Sequence, residues 1–294
     1  MEAVLRDRRV VLALVGPALL VYTLIILVPI VWSLVYTLFQ GNILFGFTFY
    51  GLHNYANLLG DRAFWQALLF TLKYAVSVTI GQVAIGLLLA LVYVFYLRRA
   101  SALIRTLVFF PVVLPTVAVA QLFSKIFEIA PQYGLVNSLL DLVHLSGWIQ
   151  PWLGKGGTAL WVIVIMDVWR SMGFYGVLLF AGLVDIPGEL IEAARIDGAS
   201  GPKLARHIVL PLLTPILFTA IIFSINGTLK VFDTILALTR GGPGQTTTPL
   251  TVYMYNTAFS NGEYGYGSTV AVSLTMLSLL VTLLIFRFAR RDVD

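Results

Sequence analysis

Residues 186–215 read Ile186-Pro187-Gly188-Glu189-Leu190-Ile191-Glu192-Ala193-Ala194-Arg195-Ile196-Asp197-Gly198-Ala199-Ser200-Gly201-Pro202-Lys203-Leu204-Ala205-Arg206-His207-Ile208-Val209-Leu210-Pro211-Leu212-Leu213-Thr214-Pro215. Pro187 has the fixed φ suited to a first helical turn, Glu189 stands where an acid meets the positive helix end, and Gly198 can close the helix left-handed. The spacing predicts a helix of about three turns. Ser200 offers a cap and Pro202 a first-turn residue for a second helix, which runs directly into an apolar stretch. A short, polar-flanked helix therefore sits between two long apolar runs.

Those runs set the class of the whole chain. Of 294 residues, 59% are hydrophobic and 11% charged, with mean hydropathy +0.91. Such values lie outside the range of a soluble domain of this length. A membrane span takes about 20 mostly apolar residues, and six are expected: Val10 to Phe39, Tyr74 to Leu97, Thr106 to Ser124, Thr158 to Val184, Ile208 to Ala237 and Tyr264 to Phe286. The first is too long for a signal-peptide core and has no small-residue cleavage site nearby, so it stays a span. Pro17 and Pro29 in span one, and Pro111 and Pro115 in span three, are expected to kink their helices.

The net charge of +5 does not point to nucleic acid, because the basic residues lie at the ends of the apolar runs. With the N-terminus inside, the inner segments hold 12 of the 19 basic residues: Arg6, Arg8, Arg9, Arg98, Arg99, Arg105, Arg195, Lys203, Arg206, Arg287, Arg290 and Arg291. The outer segments hold 3, namely Arg62, Lys155 and Arg240. This bias places both termini and the Glu192 loop in the cytoplasm. The outer stretch 41–66, rich in Gly, Asn and aromatics, is expected to form interfacial turns, and Leu135 to Leu145 a short surface helix.

Two spans carry polar residues at one helical spacing. Span four has Asp167, Arg170, Ser171 and Phe174 on one face; span five has Ser224, Gly227, Thr228 and Val231. Ionisable groups in a span usually face protein or water, so these faces are expected to line a solute path. Asp167 with Arg170 could equally be a structural ion pair, and for Lys230 with Asp233 that structural reading leads. With 0 cysteines there is no disulfide, thiolate metal site or cysteine nucleophile. The three histidines, His53, His144 and His207, are scattered. No phosphate-binding G-x-x-x-x-G-K occurs: Gly154-Lys155 has Ile149 where its first glycine would stand.

The long stretch resembles the "EAA" loop of the membrane subunits of binding-protein-dependent ABC importers. Glu192-Ala193-Ala194 is followed by three residues and Gly198, then by nine residues and Ile208-Val209-Leu210-Pro211, all in that family's register. Pro202 and Ala205 stand where the sugar-permease branch often has aromatics. The run Leu229-Lys230-Val231-Phe232-Asp233, with Leu238-Thr239-Arg240-Gly241-Gly242-Pro243 and Tyr255, Ala258 and Phe259, is similar to the maltose-permease and glycerol-3-phosphate-permease-like branch. The resemblance implies an all-α integral membrane protein of the type I importer fold. It divides the chain into an N-terminal span and outer loop (1–65), a five-helix core (66–287) and a cytoplasmic tail (288–294).

The resemblance also implies that Glu192, Ala193, Ala194, Asp197 and Gly198 dock a partner ATPase. Asp167, Arg170, Ser171, Phe174, Ser224, Gly227, Thr228 and Val231 fall at positions matching sugar contacts; only Ser224 keeps the residue type, and Phe174 keeps an aromatic. The implied assembly comprises a second homologous permease, two ATPase subunits carrying the ATP and Mg, an extracytoplasmic solute-binding protein and the lipid of a bacterial or archaeal inner membrane. The chain itself is expected to bind no cofactor and to be no enzyme. A secondary transporter or channel, and an integral-membrane enzyme, are the alternative classes.

Overall fold

Apolar runs uninterrupted by charge become long helices because, in lipid, each backbone polar group must find its partner within its own segment. The computed structural model describes residues 8–97 and 100–291. Arg6, Arg98, Arg99 and tail residues 292–294 lie outside the described residues.

The chain opens with α1 (Arg8–Tyr22), a π-helical turn (Thr23–Leu27) and α2 (Val28–Tyr36), which together make the first span. A hairpin of β1 (Phe39–Asn42) and β2 (Gly46–Phe49) follows, then α3 (His53–Gly60) and α4 (Arg62–Phe95). Next come α5 (Ser101–Val113), α6 (Thr116–Ile126), α7 (Leu135–Leu142) and α8 (Gly156–Val184). Then α9 (Gly188–Ile196) and α10 (Gly201–Leu204) lead through a π turn into α11 (Leu210–Leu229). The last elements are α12 (Asp233–Leu238), α13 (Leu250–Tyr255) and α14 (Tyr264–Arg291). Among the described residues, five helical segments can each cross a membrane alone, and the α5–α6 pair makes a sixth if it is one span.

Three expected spans are corrected. The second begins at Arg62, earlier than Tyr74, because Asp61 caps it: its Oδ1 accepts the Ala63 amide at 2.8 Å. The third, where a kink at its prolines was expected, is two helices bent by 95°. Pro115, preceded by an extended Leu114, lacks the donor needed to continue α5. The fifth stops at Leu229 rather than Ala237. Lys230–Phe232 break it, and the Val231 carbonyl freed there accepts the Thr251 hydroxyl.

The chain forms two compact units: residues 1–64 with 253–275, and residues 65–252 with 276–294. The resemblance-based division into 1–65 and 66–287 differs from these in leaving 253–275 with the core. In the first unit the outer loop is more ordered than interfacial turns. β1 and β2 pair antiparallel from Phe39 opposite Phe49 to Asn42 opposite Gly46. Asn42 Oδ1 closes the turn by accepting the Leu44 and Phe45 amides at 3.0 and 2.9 Å. Asn54, buried, donates to the Thr37 and Phe39 carbonyls, both at 2.9 Å.

The second unit packs α4, α8, α11 and α12 around apolar clusters. One gathers Tyr74, Val78, Ile163, Val168 and Ile235; another gathers Leu179, Leu183, Ala194, Leu204, Val209 and Leu213. Glycine lets helices approach here: a Cβ at Gly86 would meet the Tyr175 backbone, and one at Gly173 the backbone at Val108.

Candidate functional site

Span four places Asp167, Arg170 and Ser171 one helical turn apart, and α11 places Ser224, Gly227 and Thr228 likewise. In the second unit both faces open onto one cavity of about 280 Å³, which Val231 also lines. Seven of the eight residues singled out from the sequence are thus brought together. Phe174 is not on the lining; it stands 38% exposed, edge-on to Tyr175 at 5.2 Å. Tyr175, the next residue along the helix, supplies the aromatic wall instead.

The charge at the centre is neutralised locally. Asp167, buried, accepts hydrogen bonds from the Tyr74 hydroxyl and from Thr234 Oγ1 (3.1 Å). Arg170 Nε approaches its Oδ1 to 3.5 Å, an ion pair, yet makes no aligned hydrogen bond. The ion-pair reading of Asp167 and Arg170 and their position on the cavity therefore hold together. Lys230 and Asp233 behave differently. Both line the cavity, and among the described residues they form no ion pair with each other, so the structural pairing expected for them is absent. The physical reason is the helix break, which removes the i, i+3 relation that would bring them together.

Hydroxyls and amides complete the lining. Ser171 Oγ donates to the Asp167 carbonyl at 2.5 Å, and Thr228 Oγ1 to the Ser224 carbonyl at 2.8 Å. Ser224 Oγ donates to Gln82 Oε1 at 2.7 Å and pairs with Thr79 Oγ1 at 2.9 Å. Tyr74 and Gln82, on the lining, and Thr79, which holds Ser224, are not among the residues singled out from the sequence. Their signal was there: Tyr74 and Gln82 stand two turns apart in an apolar helix, where polar groups rarely face lipid. Thr116 and Thr234 come from α6 and α12, whose approach no local pattern announces. Neutral donors and acceptors around a balanced set of charges suit a polyhydroxylated solute. Among the described residues no cluster of three potential metal ligands occurs.

The second group lies on α9. Gly198, at φ +84°, ends this helix with a Schellman motif: the Ala199 amide reaches the Ala194 carbonyl at 2.9 Å and the Gly198 amide the Arg195 carbonyl at 3.0 Å. Pro187 is the residue before the helix rather than its first turn, and Ser200 occupies the cap position of α10 without a side-chain cap bond. Ala194 is buried in one apolar cluster with Leu179, Leu183, Leu204 and Leu213, which ties α9 to the spans on either side. Glu192, Ala193, Asp197 and Gly198 are exposed. So is Ile196, an apolar side chain 87% exposed among the described residues.

The family model for the binding-protein-dependent transport system inner membrane component matches residues 82–292. Among curated proteins, the probable ABC transporter permease protein YurN of Bacillus subtilis (strain 168) is 35% identical over 274 residues, 92% of each chain. The trehalose/maltose transport system permease protein MalF of Thermococcus litoralis is 37% identical over 243 residues, 82% of this chain and 80% of that one. A solved bacterial ABC transporter involved in import of the acidic polysaccharide alginate superposes with TM-score 0.86 at 20% identity, covering 100% of this chain and 99% of its own, which shows a shared fold. With the long apolar helices and the Glu192–Gly198 loop, these matches assign the chain: it belongs to the binding-protein-dependent transport system inner membrane components, as a membrane-spanning permease subunit of an ABC importer whose ATP hydrolysis resides on a separate subunit.

Proposed function

We propose that this chain forms half of the transmembrane path for a carbohydrate, with a second homologous permease as the other half. Two ATPase subunits, holding ATP and Mg, dock on α9 from the cytoplasm, and an extracytoplasmic solute-binding protein delivers the sugar. Both termini are then cytoplasmic and the membrane is a bacterial or archaeal inner membrane, in keeping with the bias of basic residues. The observation that carries the reading is the cavity where Ser171, Ser224, Thr228 and Gln82 meet beside uncommitted Lys230 and Asp233. Such groups exchange hydrogen bonds with sugar hydroxyls at little net cost, and Tyr175 gives a ring face. The names of its relatives, trehalose and maltose among them, support the same solute class.

In the mechanism, ATP-driven closure of the ATPases moves α9. Because Ala194 lies in one buried apolar cluster with residues of α8 and α11, a displacement of α9 is passed through that cluster to the two helices that line the cavity. Asp167 holds α4, α8 and α12 together through Tyr74, Arg170 and Thr234, so the outer part of the cavity moves as a piece.

The test is uptake of labelled maltotriose and trehalose into proteoliposomes containing the complete importer. Ser171→Trp is expected to reduce ATP-dependent uptake to background while the subunits still co-purify. Undiminished uptake in that variant would take α8 out of the path, and ATP-dependent uptake confined to non-carbohydrate solutes would overturn the substrate class.

A further inference from the structure

The first unit has its own polar cleft, of about 550 Å³, bounded by the β1–β2 hairpin, α3 and the start of α14. That volume lies in the range of small-ligand sites. Its walls are built rather than left over. Asn54 pins the chain before and within β1. A Cβ at Gly265 would run into the Phe39 carbonyl, so only glycine lets α14 lie this close to the hairpin. The Tyr266 ring, on the cleft wall, is fixed from behind, its hydroxyl donating to Asp61 Oδ2 at 2.6 Å; Tyr253 donates to the same oxygen at 2.5 Å.

On this frame stand groups with no internal use. Among the described residues, the side chains of Gln40, Thr48, Asn57, Asn261 and Glu263 make no hydrogen bond or ion pair within the chain, and all five line the cleft. Three are carboxamides, each able to give and take a hydrogen bond, the reciprocal of a pair of vicinal hydroxyls. Tyr50 and Tyr266 offer ring surface, against which the apolar face of a pyranose can lie. Among the described residues on the lining, Glu263 is the one charged side chain and there is no Lys or Arg. An anionic sugar would meet repulsion without a compensating cation.

We infer that this cleft is a second binding site, outside the membrane cavity, for a neutral saccharide of one to a few rings. It rests on the carbohydrate reading above and deepens it: the charge bias puts the hairpin segment on the outer side, where a sugar leaving its carrier would be held before entering the path. Rigid aromatic and glycine walls keep the ordering cost of binding low, so a modest set of hydrogen bonds gives a weak, rapidly exchanging site.

The experiment uses the full chain within its importer complex in lipid nanodiscs, without the solute-binding protein. Saturation-transfer NMR is read with maltotriose, lactose and galacturonic acid. The Ser171→Trp complex, its membrane cavity blocked, is expected to keep the maltotriose or lactose signal. In the same background Asn57→Leu with Asn261→Leu is expected to weaken that binding at least about fivefold, the loss of one or two hydrogen bonds. Galacturonic acid is expected to give no signal. Should the double variant fail to reach the membrane, Asn57→Ala, a surface change, carries the same expectation. The inference is overturned if Ser171→Trp abolishes all saccharide signals, if the cleft variants leave them unchanged, or if galacturonic acid binds as well as the neutral sugars. It is also overturned if the cleft variants affect only capture of the solute-binding protein, which would make the cleft a protein dock. Uptake by wild-type proteoliposomes separates these failures from failure of the carbohydrate reading itself.

Discussion

Asp167 is the residue on which the membrane cavity turns. A carboxylate in an apolar helix is tolerable only when partners replace water, and here a phenol, a threonine hydroxyl and a guanidinium do so. Asp167→Ala leaves Tyr74 and Thr234 without their acceptor and Arg170 without its counter-charge. The expected loss is about 3 kcal/mol of stability, read as a lower thermal midpoint of the detergent-solubilised complex. Asp167→Asn, which keeps an acceptor oxygen, should recover part of it; equal stability of the alanine variant and wild type would remove Asp167 as a bridge. The sequence announced Asp167 and Arg170 as one face because three residues make nearly one turn. It could not announce Tyr74 as the partner of Asp167, or Thr79 and Gln82 as the partners of Ser224, since these sit on a helix 93 positions before the one and 145 and 142 before the other and meet them only through packing.

At the scale of the element, the break between α11 and α12 and the turn after α9 do opposite things. The first replaces a helical repeat with three residues of irregular chain and so turns Lys230 and Asp233 toward the cavity separately. The second is rigid, its two reciprocal backbone bonds holding α9 at a fixed angle to α10. A Cβ at Gly198 would meet nothing within 4 Å, so any cost of substitution there is conformational, from φ +84°. Gly198→Ala should therefore cost about 1 kcal/mol, Gly198→Asn less and Gly198→Val more. The order Gly, Asn, Ala, Val is the expected ranking of ATPase retained on co-purification; retention independent of the residue would show that the helix end does not position the docking surface. Glycine at this spacing was legible because the left-handed helix end is a local rule. The α11 break was not, as Lys230–Phe232 contain neither glycine nor proline and would continue a helix if only local preference counted.

For the molecule as a whole, the first unit shows that sequence order and spatial grouping differ, because residues 253–275 join residues 1–64. Asp61 is its clasp. Burial works against its charge, but the Tyr253 and Tyr266 hydroxyls and the Ala63 and Phe64 amides outweigh that and hold the carboxyl below its ordinary value. Burial, and then the carboxylate itself, push the Tyr253 phenol up to about 12. A depressed acid stabilises fully above its unfolded value, about 3.9, and the contribution is lost as pH falls through the folded value. Wild type should thus exceed Asp61→Asn by about 1 kcal/mol at pH 6, the partial exposure of the group being allowed for. The gap should close below about pH 4 in thermal unfolding series; a gap that widened on acidification would reverse the assignment. Among the described residues, none in the most apolar stretch of the first span is buried, which suits a helix lying in lipid. The sequence by itself determined that the chain is a multi-spanning membrane protein with a short helix between its fourth and fifth spans. Composition, charge bias and helix-end chemistry are properties of neighbouring residues, and hydrocarbon leaves a long apolar run little choice but helix. Only the tertiary structure decided that α4 shares the cavity, that Tyr175 replaces Phe174 on its wall, and that the hairpin, α3 and α14 enclose a cleft. Each of these depends on which distant segments pack together, and packing is settled by complementary side-chain volume and buried hydrogen bonds that no local periodicity records.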